Sequence, residues 1–194
     1  MANAEKSIEL TPTSHVVLGM IHIGAHSGYA IKRAIDLSAR FFWTLSPIQI
    51  YPELKRLEKA ELITGTDEPS GGRPRRVYAL TAKGRKALRD WLSDEEEPTL
   101  EWRDAGLLKL FLADALDPAD AVERLRAIRE RSERLVEQFR GVLIPHAEAE
   151  LDRHGFGYPL LTAEFGLAHH EWVAGWCAEK ERELLAAEAK ASAA

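Results

Sequence analysis

The sequence predicts a mainly α-helical chain with one small β-hairpin, built as two parts in succession. Three observations predict it. Apolar residues recur at spacings of three and four through most of the 194 residues. A single pair of short alternating segments flanks a glycine- and proline-rich turn, PSGGRP (69–74). The charge also divides at Ser93. Residues 1–93 carry 14 lysines and arginines against 9 aspartates and glutamates, a net +5, whereas residues 94–194 carry 12 against 22, a net −10. A basic half attracts a polyanion and an acidic half opposes nonspecific adhesion, so 1–93 and 94–194 are read as two domains with different work.

In the basic half, Thr11-Pro12 opens the first helix, a hydroxyl cap followed by proline at the first helical position, with Val16, Val17, Met20 and Ile21 at helical spacing. GAHSG (24–28) breaks it, and Ser27 caps a second helix, GYAIKRAIDLSA (28–39), striped by Ile31, Ala34 and Ile35. After FFWTL (41–45), Ser46-Pro47 repeats the start signal for a third helix with Ile50, Leu54 and Leu57 on one face. Its opposite face presents Ile48, Pro52, Lys55, Arg56 and Lys59, flanked by Gln49 and Tyr51. Pro52 lacks a backbone donor and predicts a late start or a bend. ELITGT (61–66) and RRVYALT (75–81) alternate as the strands of a hairpin, with Tyr78 and Leu80 on the face away from Val77 and Ala79. Thr81 then caps KGRKALRDWL (83–92), whose stripe is Ala87, Leu88, Trp91 and Leu92. Three helices followed by a hairpin is the order of a winged helix-turn-helix, in which the third helix suits the major groove of DNA, about 12 Å wide.

In the acidic half, EWRDAGLLKLFLADAL (101–116) reads as a helix, and Asp117-Pro118 marks a restart. A long helix follows, its seam formed by Leu125, Ile128, Ser132, Leu135, Phe139 and Val142 at alternating spacings of three and four. After RHGFGYP (153–159), a further helix places Leu161, Phe165, Ala168 and Trp172 in similar register. Two seam-faced helices and a short one are expected to wrap a second copy of the chain. The fold class is therefore mainly α with a small β wing: an N-terminal winged helix-turn-helix plus a C-terminal antiparallel helical dimerisation domain.

GYAIKRAI (28–35), IYPELKRLEKAELI (50–63) and GGRPRRVYALTAKGRKALRDWL (71–92) resemble the PadR family of bacterial transcriptional regulators. The resemblance is dense over residues 15–92, and includes the proline after the recognition-helix tyrosine, here Pro52. EWRDAGLLKLFLAD (101–114) and the two long helices resemble the longer members more loosely. The resemblance implies a homodimer that binds an inverted repeat of double-stranded DNA near a promoter, as a repressor released by a small molecule. It maps Tyr29, Ser46, Gln49, Tyr51 and Lys55 onto DNA-facing helix positions and Arg73, Arg75 and Arg76 onto the wing. Gln49 is expected to read bases and the arginines to hold phosphates, whereas Ser46 is expected to cap the helix. In some small relatives a tryptophan after the wing stacks planar drugs, and Trp102 lies in the similar helix.

Trp102, Trp172 and Trp176 are read either as a pocket for a small aromatic effector or as packing in a dimer interface. His146, His154, His169 and His170 with Glu171 contain no i, i+4 histidine pair, so no metal and no cofactor are expected. No Ser-His-Asp spacing, phosphate loop or carboxylate pair points to an enzyme. No apolar run has membrane-spanning length, no apolar stretch precedes a small-residue cleavage site, and the single Cys177 fits a reducing compartment, which together predict a cytoplasmic protein. The alternative function is an interaction module that dimerises through its acidic helices without specific DNA binding.

Overall fold

The computed structural model describes residues 8–43, 45–69, 75–95, 103–155 and 157–192, in two compact units, Met1–Glu97 and Pro98–Ala194. In the first unit, α1 (Pro12–His22), α2 (Gly28–Leu37) and α3 (Pro47–Lys59) precede β1 (Ile63–Glu68), β2 (Arg75–Leu80) and α4 (Ala82–Leu92). The start signals sit where hydroxyl chemistry places them: Thr11, Ser27 and Thr81 accept from Ser14, Ala30 and Gly84 backbone N–H groups. β1 and β2 pair antiparallel, with Ile63 opposite Leu80 and Glu68 opposite Arg75. The first strand lies two residues further along than the alternation predicts, 63–68 in place of 61–66, because it pairs with the partner strand from Leu80 back to Arg75.

The core of this unit draws on every element: Val17, Leu18 and Ile21 from α1, Ile31 and Ile35 from α2, Ile50, Leu54 and Leu57 from α3, Ile63 and Tyr78 from the hairpin, and Leu88 from α4. Each such aliphatic side chain contributes about 1.5–3 kcal/mol on burial. Pro52 lies inside α3 without ending it. The carbonyl it leaves without a helical donor belongs to Ile48, in the exposed first turn of the helix.

α3 is also held by charge. Glu53 is buried, and Arg56 donates to both its carboxylate oxygens at 2.8 Å, to Ser14 Oγ at 2.6 Å and to the Glu9 carbonyl at 2.8 Å. Arg56 is therefore a pin between α3 and α1, although sequence spacing puts it on the outer face. Burial pushes the Glu53 carboxyl up, but hydrogen bonds from Arg56 and Ser14 and the Arg56 charge outweigh it, leaving the group below the usual carboxylate range.

In the second unit, Asp104 caps α5 (Ala105–Phe111) by accepting from Gly106 and Leu107 N–H, and a short 3₁₀ turn follows at Ala113–Ala115. α6 (Pro118–Gln138) runs through a π-helical turn, Phe139–Leu143, directly into α7 (Ile144–His154). This rod lies antiparallel to α8 (Tyr158–Ser192), as its ion pairs require: Arg126 meets Glu181 at 2.6 Å and Arg140 meets Glu171 at 2.6 Å.

The seam of the rod departs from the expected one at its end. Leu125, Ile128, Ser132 and Phe139 are buried, but Val142 is 46% exposed and Leu143 and Ala147 take the inner positions. The wider π turn inserts about one residue into the helical repeat, so the inward face advances by one. On α8 the inward stripe is Ala163, Gly166, His170 and Cys177, buried, with Val173 half-buried beside them. The expected register of Leu161, Phe165 and Trp172 faces outward, with Phe165 70% exposed.

His170 packs against Phe139 and the ring of His169, and burial, with the His169 and Arg131 charges, pushes its pKa down to about 4. Its folded value lies below the unfolded value near 6.5, so the unfolded chain takes up the proton first and stability falls as pH drops from about 6.5 towards 4. Chemical denaturation is expected to show a loss of about 2 kcal/mol between pH 7 and 4.5 that His170→Gln removes. The Glu53 contribution has the opposite kind of group and a lower window: it is complete above the unfolded carboxyl value and is lost as pH falls through the lowered folded one. Arg56→Met is expected to destabilise the protein at pH 7 by about 2 kcal/mol, because it strands a buried carboxylate, and adding Glu53→Gln recovers part of that loss.

Candidate nucleic-acid interface

The outward turn of α3 is built by its own cap. Ser46 N–H donates to Gln49 Oε1 at 3.0 Å, and Ser46 Oγ donates to the same oxygen at 3.1 Å. A backbone N–H can only donate, so the atom facing it is the amide oxygen, and the Gln49 Nε2 group is left outward with its two hydrogens. Ser46 stands at the N-cap and donates to Gln49, so Gln49 is half engaged before any partner arrives. Beside it Ile48 is 84% exposed, and Tyr51 and Lys55 follow on the same side, both exposed.

Tyr29, at the start of α2, is 73% exposed and shares a cleft of about 380 Å³ with Ser27, Gly28, Tyr51, Arg75, Arg76 and Tyr78. Gly28 sets the width of this cleft. A Cβ there would lie 2.5 Å from Tyr51 Cε1, so only glycine lets the ring seat against the first turn of α2. His26 fastens the same turn to the hairpin: Tyr78 N–H donates to the His26 carbonyl at 2.7 Å, and His26 Nδ1 lies 3.1 Å from the Tyr78 carbonyl, to which it must donate.

The two described wing arginines differ. Arg75 is exposed and has no ion pair among the described residues. Arg76 donates to Glu58 of α3 at 2.5 Å and to Asp67 of β1 at 3.0 Å, and these hydrogen bonds hold its guanidinium above the usual arginine range. Glu58 Oε1 also accepts from Gly65 N–H at 3.0 Å, so one carboxylate fixes both strands to α3. A Cβ on Gly65 would approach that oxygen to 2.6 Å. Arg73 lies outside the described residues, as does the tip of the turn.

Of the residues singled out from sequence, Tyr29, Tyr51, Arg75 and Arg76 line one cleft, while Gln49 and Lys55 are exposed on α3 beside Tyr51 and do not line it. Sequence reasoning missed the residues that place them: His26 and Gly28 inside a stretch read only as a break, and Glu58 among the charges of α3. The one available signal was the pair of glycines flanking Ala25-His26-Ser27. In the second unit Trp172 and Trp176 stack one helical turn apart, with ring centroids at 6.4 Å, while Trp102 lies outside the described residues. Among the described residues no three His, Cys, Asp or Glu side chains gather as metal ligands, and no helix is long and apolar enough to cross a membrane.

The family model "Transcriptional regulator PadR-like family" matches residues 17–90, and "Virulence activator alpha C-term" matches 102–184. "Probable transcriptional regulator Rv1176c" of Mycobacterium tuberculosis is 30% identical over 138 residues, 66% of this chain and 73% of that protein. "Negative transcriptional regulator PadR" of Bacillus subtilis is 31% identical over 108 residues, 55% of this chain and 59% of that one. The structure of Bacillus subtilis PadR in complex with operator DNA matches with a TM-score of 0.79 at 22% identity, covering 91% of this chain and 99% of that chain. The same protein in complex with p-coumaric acid matches with a TM-score of 0.68 at 21% identity, covering 91% and 98%. The structural likeness is one of fold.

The carboxylate clamp is testable on the protein alone. Glu58→Ala removes the acceptor of Gly65 N–H, and amide exchange at Gly65 is expected to rise about tenfold, the equivalent of one charged hydrogen bond. Unchanged exchange would show that the strand holds Gly65 without Glu58.

Proposed function

From the premise that this chain belongs to the PadR-like family of DNA-binding transcriptional regulators, we propose that it acts as a homodimer on an inverted-repeat operator, as a repressor. Residues 1–93 bind the DNA and residues 94–194 dimerise. The observation that carries this reading is the convergence on one face of the first unit of the open turn of α3, Tyr29, Lys55 and Arg75, which has no ion pair among the described residues. A helix whose first turn is capped, exposed and flanked by cations can enter a major groove, while an arginine on the hairpin neutralises a neighbouring phosphate. In this reading Gln49 reads base edges, Tyr29, Tyr51 and Lys55 line the duplex, Ser46 closes the helix, and Arg73 and Arg75 hold phosphates. Arg76, already shared by two carboxylates, positions the wing.

The outward row of Leu161, Phe165 and Trp172 on α8 is the surface a second copy would cover. An inverted repeat needs two recognition helices about one turn of DNA, about 34 Å, apart, which a dimer can supply. The operator complex of Bacillus subtilis PadR supports the DNA half of the reading, and its complex with p-coumaric acid supports release by a small aromatic effector, with Trp172, Trp176 and Trp102 as its aromatic lining. Such a regulator works in the cytoplasm and needs no catalytic group. The alternative of an interaction module without DNA binding has the weaker support, since the family is one of DNA-binding regulators.

Fluorescence anisotropy against the duplex upstream of the chain's own gene, with excess unrelated DNA, is expected to show binding that weakens linearly in log affinity against log salt. Arg75→Ala is expected to reduce the magnitude of that slope by about 1, the loss of one phosphate contact. Arg76→Ala is expected to lower affinity with a smaller change in slope, because its charge is already balanced. A slope for Arg75→Ala equal to that of the parent would remove Arg75 from the interface.

A further inference from the structure

We propose that Ile48 reads the C5-methyl group of a thymine in the major groove, with the outward Gln49 amide donating to an acceptor on the same base pair or the next. The inference rests on the DNA-binding reading above and adds the base class that the helix selects.

Two observations carry it. Ile48 is 84% exposed in the first turn of α3, the part of a recognition helix that meets base edges. A bare aliphatic side chain at that point contributes nothing to the core, whose α3 members are Ile50, Leu54 and Leu57. It offers no hydrogen bond either, so its favourable partner on DNA is apolar. The major-groove edge of the unmodified base pairs displays one apolar group, the thymine methyl.

The second observation is the state of Gln49. A glutamine that recognises adenine bidentately must accept from N6 and donate to N7. Here the carbonyl oxygen is already taken by Ser46 N–H at 3.0 Å and Ser46 Oγ at 3.1 Å. What remains outward is a donor. A donor beside a methyl-seeking side chain matches thymine, which presents the O4 acceptor and the methyl on one edge. Guanine offers acceptors without a methyl, and the adenine edge needs the acceptor that Gln49 has already committed.

The test uses the full-length protein and a duplex selected by it from a random-sequence pool, resynthesised with uracil replacing each thymine in turn. This replacement deletes the methyl and leaves every hydrogen-bonding group in place. The parent is expected to lose about fourfold in affinity per half-site at one thymine position, the value of one methyl removed from water. Ile48→Ala is expected to bind the thymine duplex about fourfold or more weakly and to be indifferent to uracil at that position, while Gln49→Ala keeps the uracil penalty. Because Ile48 is exposed, circular dichroism of the variant is expected to match the parent. A parent indifferent to uracil at every position, or the same uracil penalty in Ile48→Ala, would overturn the assignment while leaving sequence-specific DNA binding intact. A selection that yields no preferred sequence at all would instead overturn the DNA-binding reading on which the assignment stands.

Discussion

The rotation of α3 about its own axis is the constraint on which the rest of the first unit depends. Ile50, Leu54 and Leu57 are fully buried at spacings of four and three, and a helix so anchored cannot turn without exposing about 100° of apolar surface. The Glu53–Arg56 pair fixes the same helix along its length, because Arg56 reaches Ser14 in α1 and the Glu9 carbonyl as well as Glu53. Once these are in place, the outward set is no longer a choice. Ile48, Gln49, Tyr51 and Lys55 face away because the inward positions are taken.

The second unit solves a different problem. A pair of long antiparallel helices must bury one face of each, and here α8 turns Ala163, Gly166, His170 and Cys177 inward and keeps Leu161, Phe165 and Trp172 outside. Close approach of the axes stabilises the pair through many weak contacts rather than a few bulky ones. The cost is an apolar exterior that water does not favour, which a protein of this kind resolves by association. The π turn at Phe139–Leu143 allows the rod to keep one face towards α8 over its whole length.

Much of this was legible beforehand. Hydroxyl caps, proline starts and apolar stripes defined each helix of the first unit to within a residue or two, since capping and amphipathicity are local and leave local traces. The hairpin was legible for the same reason. What was not legible depends on groups far apart in the chain. Arg56 looked like a surface cation because helical geometry says only which way a side chain leaves the axis, not that Ser14 and a backbone carbonyl await it. The pairing of Arg76 could not be read in sequence because its partners, Glu58 and Asp67, lie 18 and 9 residues away. On α8 the large residues drew attention and the small ones carried the packing. Val142 was misplaced because a π turn leaves no signature in apolar spacing.

The cap of α3 has a consequence for how such a chain changes over generations. Gln49 closes the helix with its oxygen and faces outward with its nitrogen, so in the proposed reading a single side chain serves folding and recognition at once. Exchanges at this position that remove the acceptor would cost the helix start one hydrogen bond, about 0.5–1.5 kcal/mol, whatever they did to recognition. Glutamate would preserve the cap but put a repelling charge against a polyanion. Ile48, free of any such duty, can be replaced without structural penalty. If the first turn reads bases as proposed, it can change unevenly: Ile48 is free to alter preference, while its neighbour Gln49 is held by the bond it makes to the backbone of Ser46.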